Sequence, residues 1–169
     1  MTALASTIIW MIAAQAAVNF SGTWKLDSDA SRITAPAGLA GLIRSGVPQT
    51  LHVTHSANGA VVIESQINES HARMYQPGGK TSTPVGPSGS ITMTSKWDGR
   101  SLVSEGSQDA SSGAALAVRE VFALSEDGRT LTIHVTVAGA GVDASSNLVY
   151  RKTDAAEPCR NWPTPCKPR

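Results

Sequence analysis

A single carboxylate interrupts an otherwise apolar row of alternating residues, and it is the side chain best placed for chemistry inside a fold. The residue is Glu120, and its row contains Leu116, Val118, Phe122 and Leu124. Alternate residues of a strand project to one face, so the carboxylate shares a face with these apolar side chains. If that face is internal, an unpaired charge on it is very costly. Glu120 therefore needs a cation or several hydrogen-bond donors.

Two arginines are candidate partners for Glu120, namely Arg73 and Arg151, whereas neighbouring Arg119 projects to the opposite face. The carboxylate has two candidate roles: it is structural, either in an ion pair or at the rim of the fold, or it holds the polar headgroup of a ligand. General acid–base catalysis would need a second acid or a nucleophile near it. None can be placed there, so we predict no catalytic residue.

Three large side chains are candidates for the apolar lining of a ligand pocket. Met93 and Trp97 alternate with Ile91 along one predicted strand, and Phe122 belongs to the row of Glu120. Ordinary core packing is the alternative role for all of them. We therefore predict Glu120, Met93, Trp97 and Phe122 as the ligand-binding residues.

Other motifs with known chemistry are incomplete. Gly86-Pro87-Ser88-Gly89-Ser90 resembles a nucleophile elbow but ends in serine, and no strand-turn-helix pattern surrounds it. Gly139-Ala140-Gly141 lacks the third glycine of a dinucleotide-binding loop. His52 and His55 lie three residues apart, so on a strand they face opposite sides and cannot bind one ion. The sequence predicts no metal site and no cofactor.

Short alternating segments separated by turn residues predict an all-β fold. Asn58-Gly59, Asp98-Gly99 and Asp127-Gly128 accept the positive φ angles of tight hairpin turns. We predict an antiparallel up-and-down barrel of about eight to ten strands, because closure removes exposed sheet edges. A two-sheet sandwich is the alternative. The predicted strands are residues 20–27, 49–56, 60–66, 70–76, 91–97, 101–106, 116–124, 130–137 and 145–152.

Two segments break the alternation. Residues 37–45 have apolar side chains at helical spacing but also contain Gly38 and Gly41, which predicts one short helix or lid after the first strand. Residues 78–89 are rich in glycine and proline, which predicts a loop or a poor edge strand.

The two ends of the chain predict export and a disulfide. Residues 1–16 form an uncharged leader that ends in Ala14-Gln15-Ala16, a small-x-small pattern typical of signal peptides. An uncleaved anchor is the alternative, although the apolar run is shorter than the ~20 residues that span a bilayer. Cys159 and Cys166 lie in the proline-rich segment 154–169, and an even cysteine count in an exported chain predicts a disulfide. We predict a barrel domain over residues 17–153 in a secreted or periplasmic protein.

The charge of the chain argues against two classes of partner. The 169 residues carry a net charge of +1, and 16% of them are charged. So weak a field does not attract nucleic acid or anionic lipid. We therefore predict no nucleic-acid partner. As a separate prediction, no stable membrane span is expected after removal of the leader.

The first and last predicted strands resemble those of the calycin group. Asn19-Phe20-Ser21-Gly22-Thr23-Trp24 resembles the first lipocalin motif and, equally, the opening strand of fatty-acid-binding proteins. Leu148-Val149-Tyr150-Arg151-Lys152 is similar to the last strand of this group, where an arginine commonly packs on the first tryptophan. The chain also resembles short exported bacterial domains that begin Phe-x-Gly-x-Trp-Lys-Leu-Asp. The resemblance implies that Gly22, Trp24 and Arg151 close the barrel, with a cation–π contact worth about 0.5–2 kcal/mol.

The same resemblance implies that the protein binds a small apolar or amphipathic molecule inside its barrel. The alternative is a non-enzymatic interaction module that contacts an envelope or extracellular protein. Residues 76–89 and the disulfide-closed tail would then form the contact surface. An enzyme is the third hypothesis, but no nucleophile and base are recognisable as a pair.

Overall fold

The computed structural model describes residues 18–34, 47–66, 70–84, 90–108, 115–139 and 141–154. Within these residues the chain forms eleven β-strands and no helix. The strands are β1 (Gly22–Leu26), β2 (Arg32–Ile33), β3 (Thr50–His55), β4 (Val61–Gln66), β5 (Ser70–Tyr75), β6 (Lys80–Pro84), β7 (Ser90–Asp98), β8 (Ser101–Gln108), β9 (Leu116–Leu124), β10 (Thr130–Gly139) and β11 (Val142–Thr153).

The strands form where the sequence alternates, because one face of each strand is removed from water. In β10 the apolar residues Leu131, Ile133, Val135 and Val137 are all buried, while the residues between them are partly exposed. Burying a side chain of this size stabilises the fold by about 1.5–3 kcal/mol relative to leaving it exposed. The alternation therefore determines which face of each strand points to the interior.

One antiparallel sheet contains all of these strands and curls into a nearly closed barrel. The hydrogen-bonded order is β5-β4-β3-β1-β11-β10-β9-β8-β7-β6, and short β2 also pairs with β11. The first and last strands are neighbours: Thr23 lies opposite Thr153, and Leu26 lies opposite Tyr150. This pairing confirms the predicted barrel and is incompatible with the sandwich.

The two ends of the strand order, β5 and β6, follow each other in the chain across a short turn. That turn is joined to β7, because Pro77 bridges to Ser95 and the amide of Gly78 donates a hydrogen bond of 2.7 Å to the carbonyl of Ser95. The barrel is therefore nearly closed at this point as well.

The strand β6 lies inside residues 78–89 and pairs with β7 alone in the strand order, as an edge strand does. The sequence analysis did not predict β2, whose Ile33 lies opposite Ser146 of β11. Strand β1 ends at Leu26, so β2 pairs with the part of β11 that lies beyond it. Two residues are too few to show alternation.

Several predicted features lie outside the described residues. They are the leader 1–16, the short helix or lid at 37–45, and the Cys159–Cys166 disulfide, and they stay predictions. The described part of the chain contains no helix that is both long and apolar enough to cross a membrane.

The indole of Trp24 lies in the interior, towards the end of the barrel at which β3 meets β4 and β7 meets β8, which we call the hairpin end. The side chain is fully buried, and its Nε1 donates a hydrogen bond of 3.0 Å to the carbonyl of Phe20. Phe20 itself is only 2% exposed. The segment before β1 thus packs against this end and covers it.

The cation over Trp24 is Lys152, which corrects the expectation for Arg151. Lys152 lies opposite Trp24 across the β1–β11 pair, and its Nζ is 5.3 Å from the indole centroid. Arg151 is one residue earlier and so projects to the other face, where its Nε is 3.0 Å from Oδ2 of Asp27. Gly22 has a φ of +144°, which side chains other than glycine rarely adopt, and a Cβ there would also lie 2.7 Å from Cε of Lys152.

Candidate binding site in the barrel interior

The interior contains an ion pair that joins opposite walls of the barrel. Nη1 of Arg73, on β5, lies 3.0 Å from Oε1 of Glu120, on β9. The exposed fractions of the two side chains are 7% and 0%. These strands are far apart in the hydrogen-bonded order, so the pair crosses the interior space. The predicted need of Glu120 for a cation is met by Arg73, whereas Arg151 lies on the outer face.

Tyr75 completes this group, because its hydroxyl donates a hydrogen bond of 2.8 Å to Oε2 of Glu120. The guanidinium of Arg73 also lies 5.6 Å from the centroid of the Tyr75 ring. Each carboxylate oxygen of Glu120 thus accepts a bond from a different donor. We call Arg73, Tyr75 and Glu120 the internal triad.

The pKa values of Tyr75 and Arg73 are both raised in this group. Loss of water around the phenol raises the pKa of Tyr75 well above 10, and the neighbouring carboxylate adds to this shift while Arg73 opposes it. Burial also disfavours the charged guanidinium, but the interactions with Tyr75 and Glu120 outweigh it and raise the pKa of Arg73. The triad therefore contains a neutral phenol and a charged arginine at all ordinary pH values.

A row of buried polar side chains extends from the triad around the wall. Cross-strand pairing places Ser95, Ser104 and Glu120 side by side on β7, β8 and β9, and Ser146 of β11 lies at the same level beyond Val135 of β10. All four are at most 1% exposed. The hydroxyls of Ser95 and Ser104 are 3.0 Å apart and hydrogen-bonded. We call this row together with the triad the polar belt.

Apolar side chains border the polar belt on both sides. Met93 and Val118 lie two residues from the belt on the side away from the hairpin end. Leu102 and Phe122 lie two residues from the belt on the side of the hairpin end. All are at most 2% exposed. The ring of Phe122 contacts Tyr75 edge to face with centroids 4.9 Å apart. Of the predicted ligand-binding residues, Glu120, Met93 and Phe122 thus share one interior.

Trp97 is separate from these three, although it belongs to the same row as Met93. It lies at the hairpin end, is 37% exposed, and stacks on Phe20 with centroids 5.8 Å apart. His55 packs against it at 5.7 Å, and both line an open cleft of about 230 Å³ together with Val18 and Gly99. The structure therefore places Trp97 at the rim of the barrel.

Tyr75 and the three serines of the polar belt were missed by the sequence analysis. Tyr75 alternates with Arg73 in a predicted strand, so the shared face was visible in the sequence. Ser95 likewise belongs to the row of Ile91 and Met93. A serine among apolar residues is a weak signal, because it is equally common on exposed faces.

The histidines of β3 face opposite sides, as predicted. His52 lies at 3.2 Å from the Thr23 hydroxyl on the outer face, whereas His55 packs between rings at the hairpin end. Within the described ranges, no three of the histidine, cysteine, aspartate and glutamate side chains come close enough together to hold a metal ion.

We predict that both tyrosines of the chain resist deprotonation in the folded protein. Burial raises the pKa of Tyr150 as it does that of Tyr75, and the Tyr150 hydroxyl donates to the carbonyl of Pro48 at 3.0 Å. In the unfolded chain both phenols ionise near pH 10. The folded chain therefore holds more protons above that pH, and the free energy of unfolding should fall as the pH rises further.

A spectrophotometric titration with parallel circular dichroism measures this effect. Phenolate absorbance should appear only together with the loss of β-structure. Replacing Tyr75 by phenylalanine removes one of the two contributions and should make the alkaline loss of stability shallower. Phenolate absorbance that develops near pH 10 in a chain with intact β-structure would contradict the prediction.

Solved structures with a similar fold include fatty-acid-binding and lipid-binding proteins. One is the "REP1-NXSQ fatty acid transporter", with 15% identity over 80% of this chain and 97% of that chain and a TM-score of 0.56. Another is lipid binding protein 8 of Caenorhabditis elegans, with 12% identity over 79% and 95% and a TM-score of 0.55. A third is fatty-acid-binding protein 1 of Echinococcus granulosus, with 18% identity over 79% and 96% and a TM-score of 0.50.

No protein-family model and no curated protein sequence matches the chain. At identities of 12–18% the solved structures establish the fold alone. The chain has the calycin-like fold of these proteins, which confirms the structural part of the resemblance. The exported bacterial origin in that resemblance stays a prediction.

Proposed function

We propose that this protein binds a small apolar or amphipathic molecule inside its barrel. The observation that carries the proposal is the interior wall, which is largely apolar and carries the polar belt. An amphipathic molecule matches such a wall, because its chain contacts the apolar rows while its polar group hydrogen-bonds to the belt. The proteins of similar fold include a fatty acid transporter, which supports the same kind of ligand.

Each predicted ligand-binding residue has a distinct role in this proposal. Met93 and Phe122 contact the apolar chain on either side of the belt. Glu120 acts within the internal triad and positions Arg73 and Tyr75 for the polar group. Trp97 contributes from the rim, where its exposed face is open to an incoming molecule.

A fluorescence binding assay with an uncharged dansyl-labelled dodecyl amide as the probe tests the proposal. The probe should gain fluorescence on binding, and replacing Met93 by alanine should weaken its affinity about tenfold, because about 1.4 kcal/mol of apolar contact is lost. The control is Met74→Ala, since Met74 is 49% exposed and lies next to Arg73 on β5. Absence of probe binding, together with no co-purifying mass in native mass spectrometry, would refute the proposal.

We further propose that the protein is exported and that residues 1–16 are removed. The uncharged leader and its small-x-small end support this proposal. Native mass spectrometry of protein from the producing cell measures it directly, since the chain should lack the mass of the leader. A Cys159–Cys166 disulfide should lower the mass by two further hydrogen atoms. A chain that retains the leader would contradict the proposal.

A further inference from the structure

The internal triad determines which charge a ligand headgroup can carry. Among the buried residues that the structure describes, Arg73 and Glu120 are the only charged ones. One guanidinium and one carboxylate lie 3.0 Å apart, so their charges cancel within the interior. The argument that follows rests on the proposed function, because it concerns the ligand of that same interior.

The carboxylate of Glu120 already takes the place that an anionic headgroup would need. Its two oxygens accept hydrogen bonds from Arg73 and Tyr75. A second carboxylate in the belt would meet this anion, with no second buried cation among the described residues to balance it. An unbalanced charge in a low-dielectric interior is strongly disfavoured. A ligand ammonium group is disfavoured for the same reason, because Glu120 is already paired.

Uncharged polar groups suit the belt better. The hydroxyls of Ser95 and Ser104 are bonded to each other at 3.0 Å, and a hydroxyl has one donor and two acceptor positions. The pair can therefore exchange a further hydrogen bond with a ligand hydroxyl, ester or amide. Such a group adds no net charge to the interior.

From these contacts we propose that the barrel selects uncharged amphipathic molecules, such as long-chain alcohols, esters and amides, over free fatty carboxylates of the same chain length. Glu120 is the residue that determines this selectivity, because it cancels the charge of Arg73. The headgroup lies against the polar belt, and the alkyl chain lies along the apolar rows that border it.

Competition against the dansyl-labelled dodecyl amide tests the proposal with dodecanol, dodecanamide, dodecanoate and dodecylammonium at neutral pH. We expect dodecanol and dodecanamide to bind at least about tenfold more tightly than either ion. The four molecules share one chain length, so the comparison isolates the headgroup. This measurement uses the natural chain alone and does not depend on any variant folding.

Replacing Glu120 by glutamine should raise the affinity of the barrel for the anion dodecanoate but not for the cation dodecylammonium. Glutamine can still accept from Arg73 through its one carbonyl oxygen, and its NH2 group can donate to the Tyr75 hydroxyl, which then acts as the acceptor. The charge of Arg73 is then unbalanced. Dodecanoate should gain at least about tenfold in affinity, while dodecylammonium should gain nothing. The matched control is Glu105→Gln, because Glu105 pairs with Arg119 on the surface, where the side chains are 51% and 46% exposed. The same change of charge at Glu105 should leave the affinities for all four molecules within about twofold of those of the natural chain.

The outcomes separate this proposal from the proposed function. Tighter binding of dodecanol and dodecanamide, with a gain for dodecanoate in Glu120→Gln, supports it. Dodecanoate binding as tightly as dodecanol to the natural chain overturns the selectivity while leaving the binding function standing. An unchanged dodecanoate affinity in folded Glu120→Gln also overturns it. If the amide probe itself does not bind, the proposed function fails and this inference fails with it.

Discussion

Replacing Arg73 by methionine should lower the free energy of unfolding by about 3–5 kcal/mol, because it leaves the carboxylate of Glu120 buried without its cation. Glu120 is fully buried, and Arg73 supplies the positive charge within hydrogen-bond distance. The hydrogen bond from Tyr75 remains, but a neutral donor does not balance a full charge. Urea unfolding followed by circular dichroism measures the loss.

The double replacement Arg73→Met with Glu120→Leu should recover most of that stability. Substituting apolar residues for both partners of a buried ion pair is often neutral or stabilising, by up to about 1–4 kcal/mol. A matched surface control is Arg119→Met, whose salt bridge with Glu105 is half-exposed and should contribute only about 0–1 kcal/mol. If Arg73→Met lowers the free energy of unfolding by no more than Arg119→Met does, then Glu120 does not depend on Arg73 to balance a buried charge.

Replacing Gly106 by alanine should destabilise the barrel by about 3 kcal/mol, at the upper end of the range for overpacked sites. A Cβ at this position would lie 1.8 Å from the carbonyl oxygen of Thr92 on the adjacent strand. The obstacle is backbone, so no side-chain rotation can relieve it. Strands β7 and β8 would have to separate where Met93 lies opposite Gly106.

The control for this change is Gly99→Ala, in the turn that leads into β8. Gly99 has a φ of +57°, and a Cβ there meets nothing within 4 Å. Only the strain of a left-handed residue is added, which costs about 1–2 kcal/mol. Thermal or urea unfolding should therefore rank Gly106→Ala well below Gly99→Ala in stability. Equal losses would show that the backbone contact at Thr92 relaxes freely.

The replacements Arg73→Met and Glu120→Gln each remove one charge from the internal triad. Arg73→Met measures the cost of an unbalanced internal anion through unfolding. Glu120→Gln measures the effect of an unbalanced internal cation through ligand choice. Both effects arise because the triad is neutral as a unit and is removed from water.

Much of the fold was predictable because strand formation depends on local alternation. Residues 130–137 were predicted as one strand, and the structure buries each of its alternating apolar residues. Pairs such as Asp98-Gly99 predicted turns, since glycine adopts positive φ without strain. The same alternation predicted that Glu120 shares a face with apolar residues and that, if this face is internal, it needs a cation such as Arg73 or several hydrogen-bond donors.

The sequence by itself thus determined the β class, the hairpin turns, and the apolar rows with a carboxylate among them. These features depend on neighbours within a few residues, where the backbone geometry sets a period of two. Only the tertiary structure decided that Arg73 pairs with Glu120 across 47 residues, that Tyr75 takes the second oxygen, and that Lys152 rather than Arg151 covers Trp24. Those contacts depend on strand register and on how the sheet curls, because a shift of one residue turns every side chain to the other face.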